Sequence, residues 1–265
     1  MVIRTLNGKP DHQDGVLLHP LHDVPATEVI NPDSDHPILL VCEHAGRHVP
    51  NSLELLGLSL DAYDLHISHD IGAENVSRRL AADLGSALVL QRYSRLVIDC
   101  NRPLGTETSI PEISDEIAVP GNIGLSAPDR RLREDLIFAP FAASCLHHIA
   151  QPHIAAAFSI HSFTPVLARQ RRPWGIGFLY RSKVSRGQEL ADLCARLWPD
   201  LVVGYNDPYG IDGDADWFVP ACAEPRNIPH CLLEIRNDLI SSEAGCANWA
   251  ARLHQLFTAF MEDTK

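Results

Sequence analysis

The chain has 265 residues, 45% of them hydrophobic and 21% charged, which is the balance of a folded protein and excludes a disordered one. Its 22 basic and 34 acidic side chains leave a formal charge of −12. No basic run exceeds the cluster of Arg169, Arg171 and Arg172, so a nucleic-acid partner has no support.

No apolar stretch approaches the roughly 20 residues of a membrane span, and residues 1–20 contain no apolar signal core. A cytoplasmic protein with no membrane partner is expected. A chain of this length buries about 70–75% of its unfolded surface, so any metal is expected to serve chemistry before stability. The seven cysteines, at 42, 100, 145, 194, 222, 231 and 246, are odd in number and form no C-x-x-C pair. They read as reduced, mostly buried thiols.

Residues 1–36 mix Pro, Asp, His and Gly without a period and read as an N-terminal arm, leaving 37–265 as a single domain. Residues 38–42 are a continuous apolar run, suited to a strand covered on both faces, and Glu43, His44, Ala45 and Gly46 follow at its C-terminal end. Residues 71–84 carry Ile71, Val76, Leu80 and Leu84 near helical spacing, with Gly85 as a stop. Strands are expected at 87–90 and 96–98, the second ending in Asp99, Cys100, Asn101 and Arg102. Residues 104–128 have no period and read as a long loop able to cover a site.

The stretch 130–157 is helical in pattern but must bend or break near Pro140 and Pro152. Strands follow at 158–161 and 175–180, a helix at 188–198, strands at 201–205 and 231–235, and a closing helix over 246–261. Strands alternating with helices predict one α/β domain with a mixed, mostly parallel sheet flanked by helices.

Walker A, G-x-G-x-x-G, H-E-x-x-H and G-x-S-x-G patterns are all missing from the sequence. Asp212, Asp214 and Asp216 have the spacing of a calcium-loop opening, but Trp217 stands where that loop needs glycine and Ala223 where it needs glutamate, so calcium is rejected. What remains is polar residues at four strand ends: Glu43 and His44, Asn101 and Arg102, His161 and Ser162, Glu234 and Arg236. Ligands of open α/β sheets gather at such ends. Two imidazoles and one carboxylate leave zinc a vacant corner for hydrolysis. His44 and His161 supply the imidazoles, and Asp70 or Glu43 the acid; spacing does not choose between them. Glu234, set among Leu232, Leu233 and Ile235, suits the general base.

The segments 41–46 (Val-Cys-Glu-His-Ala-Gly), 69–73 (His-Asp-Ile-Gly-Ala), 93–102 (Tyr-Ser-Arg-Leu-Val-Ile-Asp-Cys-Asn-Arg), 161–165 (His-Ser-Phe-Thr-Pro) and 233–239 (Leu-Glu-Ile-Arg-Asn-Asp-Leu) together resemble the N-formylglutamate amidohydrolase family. Residues 172–174 (Arg-Pro-Trp) and 206–209 (Asn-Asp-Pro-Tyr) extend the resemblance, which covers about residues 37–262. That family is similar in fold to zinc carboxypeptidases and aspartoacylases, so the resemblance implies a phosphorylase/hydrolase-like, zinc-carboxypeptidase-like domain. It also implies the order metal His, Asn-Arg, metal His, catalytic Glu, matched by His44, Asn101 and Arg102, His161 and Glu234.

The carboxypeptidase His-x-x-Glu motif is broken here by Arg47, and the resemblance favours Asp70 as the third ligand. Glu43 then becomes a group that orients a ligand from behind. The implied substrate is a small anionic N-acyl amino acid such as N-formylglutamate. Asn101 and Arg102 would grip its carboxylate, and Ser162, Arg172, Asn206, Tyr209 and Arg236 would complete the pocket. Arg95, with Arg172 as the alternative, would neutralise the oxyanion. Family members tend to carry a histidine where this chain has Cys222, which reads as packing. The alternatives are a hydrolase of another N-acyl amino acid or of a carboxyl-terminal amide, or a ligand-binding protein that keeps the fold without catalysis. The sequence leaves the oligomeric state open.

Overall fold

A computed structural model describes residues 17–18, 23–213 and 215–263. In chain order its strands begin with β1 (Thr27–Ile30), β2 (Ile38–Cys42) and β3 (Ala87–Gln91), then the hairpin arms β4 (Ile113–Ser114) and β5 (Ile117–Ala118). After these come β6 (Ala156–Phe163), the hairpin arms β7 (Val166–Leu167) and β8 (Gln170–Arg171), β9 (Ile176–Leu179), β10 (Val203–Tyr205) and β11 (His230–Arg236). The helices are α1 (Leu60–Tyr63), α2 (Ala73–Leu84), α3 (Ala127–Arg133), α4 (Ala139–Ile149), α5 (Gly187–Leu197) and α6 (Glu243–Glu262).

Seven strands form one sheet in the order β1-β3-β2-β6-β11-β9-β10. β3, β2, β6 and β11 run parallel to one another, whereas β1 is antiparallel to β3 and β9 antiparallel to β11. This is the expected single α/β domain with a mixed, mostly parallel sheet.

All five residues of β2 are buried, and alternation assigns them to opposite faces. Leu40 and Cys42 join Phe158, Ile160, Leu233 and Ile235 in a core roofed by Val76 and Leu80 of α2, Leu190 of α5, and Leu253, Phe257 and Phe260 of α6. Leu39 and Val41 face the other way, toward Phe141 and Cys145 of α4 and the turns at 96–98. The second face is only partly apolar. Ser159, His161 and Glu234 replace aliphatic residues there near the C-terminal ends of the central strands, so the sheet itself presents the polar groups.

Several expectations need correction. Thr27–Ile30, inside the stretch read as an arm, is the edge strand of the sheet. It was missed because four β-branched or acidic residues between Pro-rich segments carry no visible period. Residues 1–16 and 19–22 of that arm lie outside the described residues.

Residues 96–98 are buried turns and not a strand. Their carbonyls are met by side chains instead of a ladder: Asn122 Nδ2 donates to Leu96 O at 2.8 Å and Arg133 Nη1 to Val97 O at 2.9 Å. Apolar character reports burial, and here that burial is achieved without strand pairing. The helical stretch from 130 ends at Ile149, not at 157. Pro140 follows directly on a π-helical segment, 134–138, where the Ala139 N–H reaches back to Glu134 O, and this widened turn takes up a residue that has no N–H to give.

Phe158 stacks on Phe257 with ring centroids 4.2 Å apart and meets Phe260 edge-on at 6.2 Å. This contact clamps α6 onto the centre of the sheet. Phe158→Ala is expected to destabilise the protein by about 3–5 kcal/mol, measured as a shift in urea-unfolding midpoint at unchanged slope.

Candidate active site

Three loops and two strands converge at the C-terminal edge of the sheet. Glu43 and His44 leave β2 on a loop that passes hard against the backbone of Arg92, where a Cβ on Gly46 would run into the Arg92 carbonyl. Asp70 lies just before α2, whose N-cap Gly72 has φ +80° and leaves no room for a side chain beside Ile240 O. The Asp70 N–H donates to His44 O at 3.0 Å, tying these loops together. His161 and Glu234 are direct neighbours in the parallel pairing of β6 with β11 and project from the same face.

The imidazoles of His44 and His161 meet edge-on with centroids 4.7 Å apart. His44 Nε2 is 2.7 Å from Asp99 Oδ1, an acceptor only, so Nε2 is the donor in this contact. His44 Nδ1 is buried without a hydrogen-bond partner and sits 3.5 Å from Asp70 Oδ2. His161 Nε2 is 3.0 Å from Glu43 Oε2, which also accepts from Ser159 Oγ at 2.5 Å, and His161 Nδ1 is 2.9 Å from the same Asp70 Oδ2.

Thus His44 Nδ1, His161 Nδ1 and an Asp70 oxygen converge. The donor atoms of these three buried residues lie within 4.8 Å of one another. Two nitrogens and one oxygen, each imidazole backed by a carboxylate on its far nitrogen, make a donor set that could hold a zinc-like cation. The orphaned Nδ1 of His44 fits such an ion.

Electrostatics follow from this packing. Burial works against ionising Asp99, but Arg95 and then His44 hold its carboxyl well below the usual range. Burial likewise opposes Asp70, and the two imidazoles pull it well below that range. Burial also disfavours a charged His161, yet Glu43 and Asp70 hold its pKa well above the ordinary value. Glu234 behaves oppositely: burial, reinforced by the nearby Asp70 charge, pushes it up to about 8 against the pull of His161, Arg95 and Arg172. Among the described residues its Oε2 has no hydrogen-bond partner.

A cavity of about 290 Å³ opens over this cluster, lined among others by His44, Asp70, Arg95, Asn101, Arg102, His161, Ser162, Tyr209 and Glu234. Glu43 is on the far side of His161, outside the converging group. Arg95 binds Asp99 Oδ2 through Nε and Nη2, at 3.1 and 2.7 Å, and reaches Asp70 Oδ1 through Nη1 at 3.3 Å. Ser162 offers its backbone N–H to Asp70 Oδ2 at 3.1 Å while its hydroxyl is spent on Ile71 O. Arg172 does not line the cavity; its Nη1 donates to Tyr209 Oη at 2.8 Å from behind the Tyr209 and Phe163 rings.

Two further expected pocket residues also lie elsewhere. Asn206 is exposed, and its Oδ1 accepts from Tyr180 N at 2.8 Å to close the ends of β9 and β10. Arg236 turns outward to Asp238 at 2.8 Å and Pro173 O at 3.2 Å. Asn101 lines the cavity but is committed internally, its Oδ1 accepting from Phe218 N at 3.1 Å and Trp217 N at 3.3 Å. The loop 104–128 contributes no lining residue; its hairpin tip Asp115 reaches the lining His66 at 3.4 Å. Cys222 is buried in the core with Phe218 and Val219 and does not line the cavity.

Asp99, which orients His44, and Asp216, which meets Arg102, were not singled out from the sequence for these roles. The signal for Asp99 was its place beside Asn101 and Arg102 after an apolar run. Asp216 gave none beyond its acidic spacing with Asp212.

Residues 36–241 match the family described as N-formylglutamate amidohydrolase. The chain belongs to that family. As a member of the N-formylglutamate amidohydrolase family it is an amidohydrolase. It is similar to the crystal structure of gene product Atu2144 from Agrobacterium tumefaciens, at 33% identity over 94% of this chain and 100% of that one, with a TM-score of 0.88. It is also similar in fold to N-formylglutamate amidohydrolase from Ralstonia eutropha JMP134, at 15% identity over 90% of this chain and 98% of that one, with a TM-score of 0.65. No curated protein matches the chain significantly.

The depressed carboxylates of this family member bear on its stability. Glu43, Asp70 and Asp99 have folded-state pKa values below their ordinary 4.5, 3.8 and 3.8, so their stabilisation is complete above about pH 4.5 and is lost as pH falls through the folded values. Asp99→Asn removes one titrating group, and urea unfolding between pH 5 and pH 2.5, scanned in metal-free buffer, is expected to show a shallower acid limb than the parent protein.

Proposed function

We propose that the protein is a zinc-dependent amidohydrolase that removes a small acyl group, formyl first, from an acidic amino acid such as glutamate. The observation that carries this reading is the convergence of His44 Nδ1, His161 Nδ1 and Asp70 on one buried point, with Glu234 on the adjoining strand. When bound, a zinc ion supplies Lewis acidity toward an amide carbonyl and toward water.

The remaining work belongs to the chain. Asp99 and Glu43 hold the two imidazoles with their Nδ1 atoms directed inward, and Arg95 braces Asp99 and Asp70 while adding positive charge at the cavity wall. Glu234 Oε2 takes a proton from the attacking water and returns it to the departing amine nitrogen. Burial makes this carboxylate a stronger base than an exposed one. Arg102 grips a substrate carboxylate, and Arg172, through Tyr209, adds positive potential against the adverse net charge. The Ser162 N–H helps to fix Asp70. Seven free, buried thiols suit a reducing compartment, so we place the reaction in the cytoplasm.

The test is release of formate from N-formylglutamate, run beside other N-formyl and N-acetyl amino acids. Chelation is expected to abolish turnover and zinc to restore it. Glu234→Gln is expected to retain the metal by elemental analysis yet lose at least about 100-fold in kcat, the scale of general-base loss. Undiminished turnover in that variant would remove Glu234 from the mechanism. A purified protein with no transition metal, inert after zinc is added back, would instead be a non-catalytic ligand-binding relative.

A further inference from the structure

The acidic triplet at 212–216, which fails as a calcium loop, has a member facing the cavity. Asp216 Oδ1 accepts from Arg102 Nη1 at 3.0 Å and from Asn101 Nδ2 at 3.3 Å, and Asp216 Oδ2 accepts from Asp212 N at 2.9 Å. The same Arg102 Nη1 also donates to Ala215 O at 2.9 Å and Asn101 O at 3.2 Å. All of these contacts fall on one nitrogen of the guanidinium. Nε and Nη2 have no hydrogen-bond partner among the described residues, although Arg102 lines the cavity and a quarter of its side chain is exposed.

An arginine held by one corner presents its other donors as a fork that matches a carboxylate. The mount is stiff. The Asp216 N–H donates to Asp212 O at 2.8 Å, and the next residue, Trp217, donates its N–H to Asn101 O at 3.2 Å and packs its ring against Phe138 at 5.1 Å. Asp216 is thus pinned on both sides by the turn and by the core. An arginine already anchored leaves the substrate less ordering to impose than a free one would.

We infer that Asp216 is a positioning residue for substrate specificity: it anchors Arg102 by Nη1 so that the free Nε and Nη2 edge receives a carboxylate of the substrate. The inference rests on the reading of Arg102 as the carboxylate grip, and it assigns to Asp216 the preference for an anionic over a neutral amino-acid part. A residue that only supported the fold would affect charged and neutral substrates alike.

The experiment uses the zinc-loaded full-length protein with Asp216→Ala and the isosteric Asp216→Asn, each checked by thermal melting. Glutarate affinity is measured by titration calorimetry, and kcat/KM is compared for N-formylglutamate and its neutral diamide. In both variants glutarate binding is expected to weaken about tenfold, the scale of one charge-assisted hydrogen bond. The kcat/KM ratio of the charged to the neutral substrate should fall by a similar factor.

Unchanged or tighter glutarate binding in the variants, or equal losses on both substrates, would overturn the positioning role. Glutarate binding that weakens in the variants while no formyl substrate is hydrolysed would support that role and sink the hydrolase reading alone. A parent protein that binds no glutarate would overturn the carboxylate grip and the role of Asp216 with it.

Discussion

Everything at the candidate site depends on ion pairing that replaces water around buried charge. Glu43, Asp70 and Asp99 are each nearly inaccessible, and carboxylates so placed persist only with close positive or hydrogen-bonding partners. Here the partners are few and shared. Arg95 serves both Asp70 and Asp99, His161 lies between Asp70 and Glu43, and His44 lies between Asp99 and Asp70. The result is a closed circuit in which each loop is held by a group from another. It accounts for the residue types in the segments around 43–46, 69–72 and 95–101: glycine where backbones touch, and a carboxylate or an imidazole where charge must be met.

The same circuit separates two kinds of acid. Asp70 and Asp99 sit against positive partners and are held ionised, whereas Glu234, beside His161 on the sheet, is driven toward the proton by burial and by the nearby Asp70 charge. Environments that push acids apart in this way allow one site to hold a ligand-type carboxylate and a proton carrier side by side. The net charge of the chain has little bearing on this, because Arg95, Arg102 and Arg172 concentrate positive charge at one end of the sheet.

Much of this was legible in the sequence because its cause is local. The run Ile38–Cys42 announced a strand buried on both faces, and polar residues directly after such runs marked where the chain reaches the edge of the sheet. His44, His161 and Glu234 were found that way. The remainder depends on distance in space. Leu96, Val97 and Ile98 have the composition of a strand but become turns because Asn122 and Arg133, residues far along the chain, satisfy their carbonyls. Nothing local tells Asp99 apart from a turn residue, since its partner is His44, on the preceding parallel strand's loop. Likewise Arg236 and Asn206 lie at strand ends as His44 does, yet they turn outward from the cavity. Position at a strand end carried the signal; which way the side chain points did not.

The pairing of β6 with β11 has a final consequence. His161 and Glu234 stand on adjacent rungs of one hydrogen-bonded ladder, so their spacing is that of the sheet and does not vary with loop conformation. A slip of one rung would turn Glu234 to the opposite, greasy side. The distance between the Glu234 carboxyl and the His161 imidazole is therefore inherited from main-chain geometry, and the loops at the mouth of the cavity can differ without changing it.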